Sequence, residues 1–437
     1  MTVRFDIETD RPLIGSDSAT RHVLATIVAP EGKPRQRPPV NLGLVLDRSG
    51  SMTGDKIRLA KEAAVAALRR LDPHDRFSVV AYDDRIDVVV ASTTASSGAV
   101  EEAARAIQAI EARGSTDLCG GWLRGCEQVG QAQSPDMVNR VLLLTDGLAN
   151  QGIVDPSEIL RHAAELRSRG IVTSTFGVGD DFDEHLLGGM ADAGGGHFYY
   201  VKRGDEIPKY IEMEVGETLE VTVRDARLHV GPADDAKVSP IAPYPTRREG
   251  NEWLIELGDL VSLQELAVPL RISFARQTLA SPEGRSVGLA FVVRSGGHAA
   301  SAEAVVQWRI APAAEVSAQH RNRNVDRAVA QGYAAEARKE AGRLNRDGDY
   351  DAAEARLKRT AVRIKEYAGD DSSLNDLARE LERDMAVHAA PMAVGERKSR
   401  FAASYSVSRS RDVLGASLRA PKRERPDRSK PGDPSGS

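Results

Sequence analysis

Cysteine is close to absent from this sequence: among 437 residues only Cys119 and Cys126 occur. Two thiols make no disulfide framework, and this usage fits a reducing compartment. Their spacing puts both on one helix face as small buried side chains. Long apolar runs are missing too. None approaches the ~18 residues of a membrane span. The N-terminus, MTVRFDIETDRPL, has no basic region followed by an apolar stretch, so it does not read as a secretory signal. The expectation is a cytoplasmic protein without a membrane span. The formal net charge is only −5, which argues against nucleic-acid binding by bulk charge. Walker loop, Gly-x-Ser-x-Gly elbow, His-Glu-x-x-His helix and dinucleotide fingerprint are all lacking. The protein is therefore expected not to be an enzyme.

What is present falls into five stretches. Residues 1–38 hold two strand-like runs, VRFDIE and HVLATIVAP, then a proline-rich connector. Strands this few form no fold alone and need a partner sheet. Residues 40–215 alternate apolar strands with amphipathic helices. Continuous runs such as VLLL (141–144) imply burial on both faces. That predicts a doubly wound, mostly parallel, Rossmann-like α/β sheet. Asp155 is expected as a helix N-cap with Pro156 at the first helical position.

Residues 217–311 read as strands joined by Gly/Pro turns, an antiparallel β-sandwich that the N-terminal strands complete. The α/β domain is then inserted into a discontinuous β domain. Residues 313–389 predict an α-helical hairpin region turning at NRDGDYD, with a third helix capped by Ser372 or Ser373. Residues 390–437 carry eleven basic against five acidic residues among Ser, Pro and Gly. They read as a disordered basic tail, either simply solvated or a weak electrostatic hook for an acidic partner, nucleic acid or a membrane surface.

One stretch carries chemistry. In LVLDRSGSM (44–52) an apolar strand ends at Asp47, with Ser49 and Ser51 at alternate positions after it. Thr116 lies in GSTDL before a helix, and Asp146 ends VLLLTDG. Ligands of open parallel sheets bind outside the carboxyl ends of strands, at a topological switch point. Hard oxygens on separate loops there suit a small divalent cation such as Mg²⁺. Without a cation or a proton, two close carboxylates repel. DRSGS has no second Asp two residues on, which sets aside aspartyl-nucleophile phosphatases. Asp83, Asp84 and Asp87 read as a solvated turn, and His197 as a strand residue.

In this order and on these elements, the five residues resemble the metal-ion-dependent adhesion site (MIDAS) of von Willebrand factor type A (VWA) domains, bacterial members included. The resemblance covers about residues 40–215. It implies Ser49 and Ser51 as direct metal ligands, Thr116 as a ligand once a partner is engaged, and Asp47 and Asp146 as ligands directly or through water. It implies Mg²⁺, with Mn²⁺ or Ca²⁺ as alternatives, and a partner protein whose Asp or Glu takes the last coordination position. The function expected is a metal-dependent protein–protein binding module. The alternatives are a regulatory or adaptor subunit of an AAA+ ATPase or a kinase/phosphatase signalling system, and an RNA-associated, Ro-like protein acting through its basic tail.

Overall fold

Val40–Asp47 is buried at every position, and its side chains divide between two cores. Leu42, Leu44 and Leu46 join one apolar cluster and Val45 another. This alternation on a strand buried on both faces places it centrally in a sheet between helix layers. The structure, a computed structural model, describes residues 3–15, 20–32, 37–232, 236–280, 282–295 and 302–421. Three strands precede the central one: β1 (Arg4–Thr9), β2 (Leu13–Ile14) and β3 (Thr20–Val28). Then come β4 (Val40–Asp47), β5 (Arg76–Tyr82), β6 (Ile86–Thr94), β7 (Val138–Thr145), β8 (Ile171–Val178) and β9 (Gly195–Val201). Interleaved helices are α1 (Asp55–Leu68), α2 (Ser97–Gln108), α3 (Leu118–Gly130), α4 (Pro156–Ser168), α5 (Glu184–Gly194) and α6 (Ile207–Thr218).

Strands β4 to β9 form one sheet in the order β6-β5-β4-β7-β8-β9. All neighbours are parallel except the edge pair of β5 and β6. The order reverses direction at β4, which pairs with β5 on one side and β7 on the other. Helices α1, α2 and α6 cover one face and α3, α4 and α5 the other. The starts follow local chemistry. Asp155 accepts the Ser157 N–H at 2.8 Å before Pro156 opens α4. Asp117 caps α3 and Asp183 caps α5 in the same way. Cys119 and Cys126 are both buried and unpaired on α3.

The following strands are β10 (Val221–Gly231), β11 (Ala236–Pro240), β12 (Thr246–Glu249), β13 (Glu252–Val261), β14 (Glu265–Phe274), β15 (Ser286–Arg294) and β16 (Ala302–Ile310). They build two further sheets, β1-β3-β14-β11 and β12-β13-β10-β15-β16-β2. Both line a single apolar cluster. The N-terminal strand β3 pairs with β14 from Thr20 opposite Ser273 to Val28 opposite Glu265. Chain on either side of the α/β region thus closes one core.

Helices α7 (Arg276–Leu279), α8 (Ala313–Ala318), α9 (Arg323–Arg346), α10 (Tyr350–Ala368), α11 (Ser372–His388) and α12 (Val394–Ser408) complete the chain. An alanine-rich cluster joins α9, α10 and α11. Asp371, rather than Ser372 or Ser373, caps α11 by accepting the Leu374 N–H at 3.1 Å. No helix among the described residues is long and apolar enough to cross a membrane.

The tail is the main correction. Residues 390–421 are ordered, not a solvated basic segment. Phe401 and Tyr405 of α12 pack on Phe198, with ring centroids 5.8 and 5.7 Å apart. Lys398, almost fully buried, donates to Glu184 Oε2 at 2.9 Å. Two buried aromatics at helical spacing outweigh the overall polarity, and the basic residues find carboxylates rather than water. Lys422, Arg423, Arg425, Arg428 and Lys430 of the expected tail lie outside the described residues.

Candidate metal centre

The end of β4 delivers Asp47 to the carboxyl edge of the sheet, beside the end of β7. Tyr82 is its register partner on β5, and Leu46 pairs with Leu144 on β7. Asp47 is fully buried. Its Oδ1 accepts the Ser49 N–H at 2.8 Å and its Oδ2 the Thr145 hydroxyl at 2.6 Å. The Ser49 and Ser51 hydroxyl oxygens lie 3.1 Å apart. Ser51 donates in turn to Asp146 Oδ1 at 2.6 Å. Lys56 Nζ, from the first turn of α1, donates to Asp146 Oδ2 at 2.5 Å. Gly54 at the N-cap of α1 has φ +85°, a left-handed conformation that glycine adopts without steric cost.

Thr116 arrives on a separate loop. Its N–H donates to Asn150 Oδ1 at 3.1 Å, which ties it to the segment after Asp146. A methyl group added to Gly147 would stand 3.3 Å from Thr116 Oγ1, so this hydroxyl lies against the residue following Asp146. Gly50 N–H donates to the Gly114 carbonyl at 3.1 Å, joining the Asp47 loop to the Thr116 loop. Asp47, Ser49, Ser51 and Asp146 thus form one hydrogen-bonded chain, and Thr116 adjoins it.

Burial pushes the Asp47 carboxyl up to about 6, and the neighbouring Asp146 charge adds to the rise. The Thr145 and Ser49 hydrogen bonds act against it. Two buried carboxylates this close are an arrangement that a cation relieves. The donor set is three hydroxyls and two carboxylates, all hard oxygens, and it fits a divalent cation such as Mg²⁺, Mn²⁺ or Ca²⁺.

Sequence reasoning missed the bracing around the site. Asp83, expected in a solvated turn, is buried. Arg113 Nε donates to it at 2.8 Å and Arg48 Nη2 at 3.3 Å, while Arg48 also reaches Asp87 at 2.5 Å. Burial alone would raise the Asp83 carboxyl. The Arg85 N–H and the two guanidinium groups hold it below the usual carboxylate range. No spacing rule links Arg48, Asp83 and Arg113; only the folded loops bring them together. Thr145 could have been found, since it directly precedes Asp146 at the end of an apolar strand.

A second set of potential ligands among the described residues is His197, Glu214 and Glu217. Here arginines stand where a cation would. Arg140 donates to Glu214 at 2.6 Å, and Arg411 reaches Glu217 at 2.5 Å and His197 Nε2 at 2.9 Å. Ser174 and the Tyr199 hydroxyl each donate to Glu214 at 2.6 Å. This cluster is a closed ion-pair network.

A mostly parallel sheet with helices on both faces, and a cluster of oxygen-bearing side chains at its switch point, define the class of the α/β region. Residues 41–212 match the family model of the von Willebrand factor type A domain, and the chain carries a domain of this family. It is 27% identical over 268 residues to an uncharacterized protein of Synechocystis, covering 59% of this chain and 63% of that protein. The chain spans less than two thirds of the length of the first curated relatives it matches. Its fold is similar to a von Willebrand factor type A structure from Catenulispora acidiphila, with TM-score 0.71 at 19% identity, covering 95% and 97% of the two chains. It is also similar to the ArnB paralog VWA2 from Sulfolobus acidocaldarius, with TM-score 0.60 at 14% identity, covering 93% and 99%. The shared fold therefore extends beyond the α/β region into the flanking sheets and helices.

Proposed function

We propose that the protein is a metal-dependent protein-binding module rather than an enzyme. In this reading Asp47, Ser49, Ser51, Thr116 and Asp146 hold a divalent cation, Mg²⁺ foremost, and a partner's Asp or Glu completes the site. The observation that carries this is the pair of buried carboxylates, Asp47 and Asp146, linked through Ser51 and Ser49 at the carboxyl edge of the sheet. Domains of this family are commonly metal-dependent interaction modules. The ion would supply positive charge and an open coordination position. The chain supplies the rest. The serine and threonine hydroxyls are neutral donors and do not cancel the ion's charge. Thr145 and the Ser49 N–H fix the orientation of Asp47, and Asn150 holds the Thr116 loop in place.

Thermal unfolding with Mg²⁺ or with EDTA tests the cation. At a hundredfold excess over the dissociation constant, a bound ion adds about 2.7 kcal/mol to the native state. Asp47→Ala is expected to abolish the Mg²⁺-dependent rise in Tm. Affinity capture in Mg²⁺ is expected to recover proteins from wild type that are lost with Asp47→Ala or chelator. Equal Mg²⁺ shifts in wild type and variant would reject the assignment.

A further inference from the structure

Lys56 is the one side chain with a positive charge that is bonded to the proposed metal ligands among the described residues, through its 2.5 Å contact to Asp146 Oδ2. It is about one-third exposed, so it stands at the mouth of the site and not beneath it. Its side chain runs alongside two glycines. A methyl group on Gly204 would lie 3.6 Å from Lys56 Cγ, and one on Gly179 would lie 3.7 Å from Nζ. Asp146 spends its other oxygen on Ser51. The remaining charges nearby are spoken for. Arg48 and Arg113 pair with Asp83 and Asp87, and Asp117 accepts the Gly120 N–H at the start of α3.

We infer that Lys56 sets the charge of this site, weakening its hold on a divalent cation alone and strengthening capture of a partner's carboxylate once the cation is in place. This rests on the reading of Asp47 and Asp146 as a cation site. Two carboxylates and one ammonium leave a single net negative charge. A divalent cation turns that into a single positive charge, which one carboxylate neutralises. Without Lys56 the loaded site would already be neutral, and an incoming carboxylate would leave it negative. Charge at such short range acts through a partly protein-like dielectric, where it is worth far more than in water. Lys56 is thus a positioning residue, acting through Asp146 and through its field.

The test separates the two affinities. Metal-free wild type, Lys56→Met, Lys56→Arg and Asp47→Ala are titrated with Mn²⁺ by calorimetry. Acetate, as a carboxylate probe, is then titrated onto each Mn²⁺-loaded protein and followed by water-proton relaxation. Unfolding curves in EDTA establish that each variant is folded. Lys56→Met is expected to bind Mn²⁺ about tenfold more tightly and acetate several-fold more weakly, and Lys56→Arg to stay near wild type in both. If Lys56→Met leaves both affinities unchanged, or moves both in the same direction, the inference falls. If wild type and Asp47→Ala bind Mn²⁺ alike, the cation-site reading fails first and takes the inference with it.

Discussion

Asp47 and Glu214 are both carboxylates buried in the von Willebrand factor type A domain, and they titrate in opposite directions. Burial would raise either one. For Asp47 it prevails and lifts the carboxyl to about 6. For Glu214 it is overcome by Arg140, with help from Arg411 and the Ser174 hydroxyl, and the carboxyl is held down at about 2. The same penalty is settled inside the protein at one end of β7 and left open at the other. Buried charges need a partner, because desolvation removes several kcal/mol of hydration from each ion. At Glu214 that partner is arginine, a fixed guanidinium. At Asp47 the protein supplies a backbone N–H and hydroxyls, with one lysine on the neighbouring Asp146. The network at Glu214 is closed by fixed guanidinium groups, whereas the site proposed to take a cation is braced by neutral donors and a single lysine.

The largest effect should come from opening the closed network. Arg140→Met leaves Glu214 buried without its main counter-charge, and the expected cost near neutral pH is about 3–5 kcal/mol in urea unfolding. The deficit should shrink on acidification, because Glu214 would now protonate well above its wild-type value. A loss under ~1 kcal/mol would mean that Arg411 alone compensates, and the contrast with Asp47 would weaken.

The next effect has the opposite sign. In EDTA, Asp47→Asn is expected to stabilise the protein by roughly 3 kcal/mol near pH 7.5. The folded carboxyl titrates at about 6, above its unfolded value near 3.8, so its ionised form disfavours the folded state. That penalty is full above about pH 6 and fades as pH falls towards 4, where variant and wild type should converge. In Mg²⁺ the order reverses, since Asn gives up the cation. A destabilised Asp47→Asn in EDTA would show that the open site is already balanced by Lys56.

The smallest effect calibrates both. Arg58 pairs with Asp55 and Glu62 on the exposed face of α1. Arg58→Ala should leave the urea midpoint unchanged within error, as solvent-exposed pairs generally do. A clear shift would mean that α1, which carries Lys56, depends on its surface charges.

Much of this could be read from local pattern. Apolar runs such as VLLL identify strands buried on both faces, and helical spacing with Asp155–Pro156 marks the start of α4. DRSGS and LLTDG fall at strand ends because polar, oxygen-bearing side chains there follow directly on the apolar runs. The C-terminal segment resisted the same logic. Residues 390–421 look polar when averaged, yet Phe401 and Tyr405 seat α12 on β9, and Glu184 at the start of α5 receives Arg397 and Lys398. Composition averages over faces, whereas packing responds to one face only.

By itself, the sequence determined the strand-and-helix alternation and the five oxygen-bearing residues, because both depend on local periodicity and on residue type. Tertiary structure alone decided which charges those residues meet. Lys56 lies 90 positions from Asp146 in the chain, and Arg140 lies 74 from Glu214. No local rule spans such separations. Crossing of the parallel strands and closure of the helices over them placed a lysine at one carboxylate and an arginine at the other.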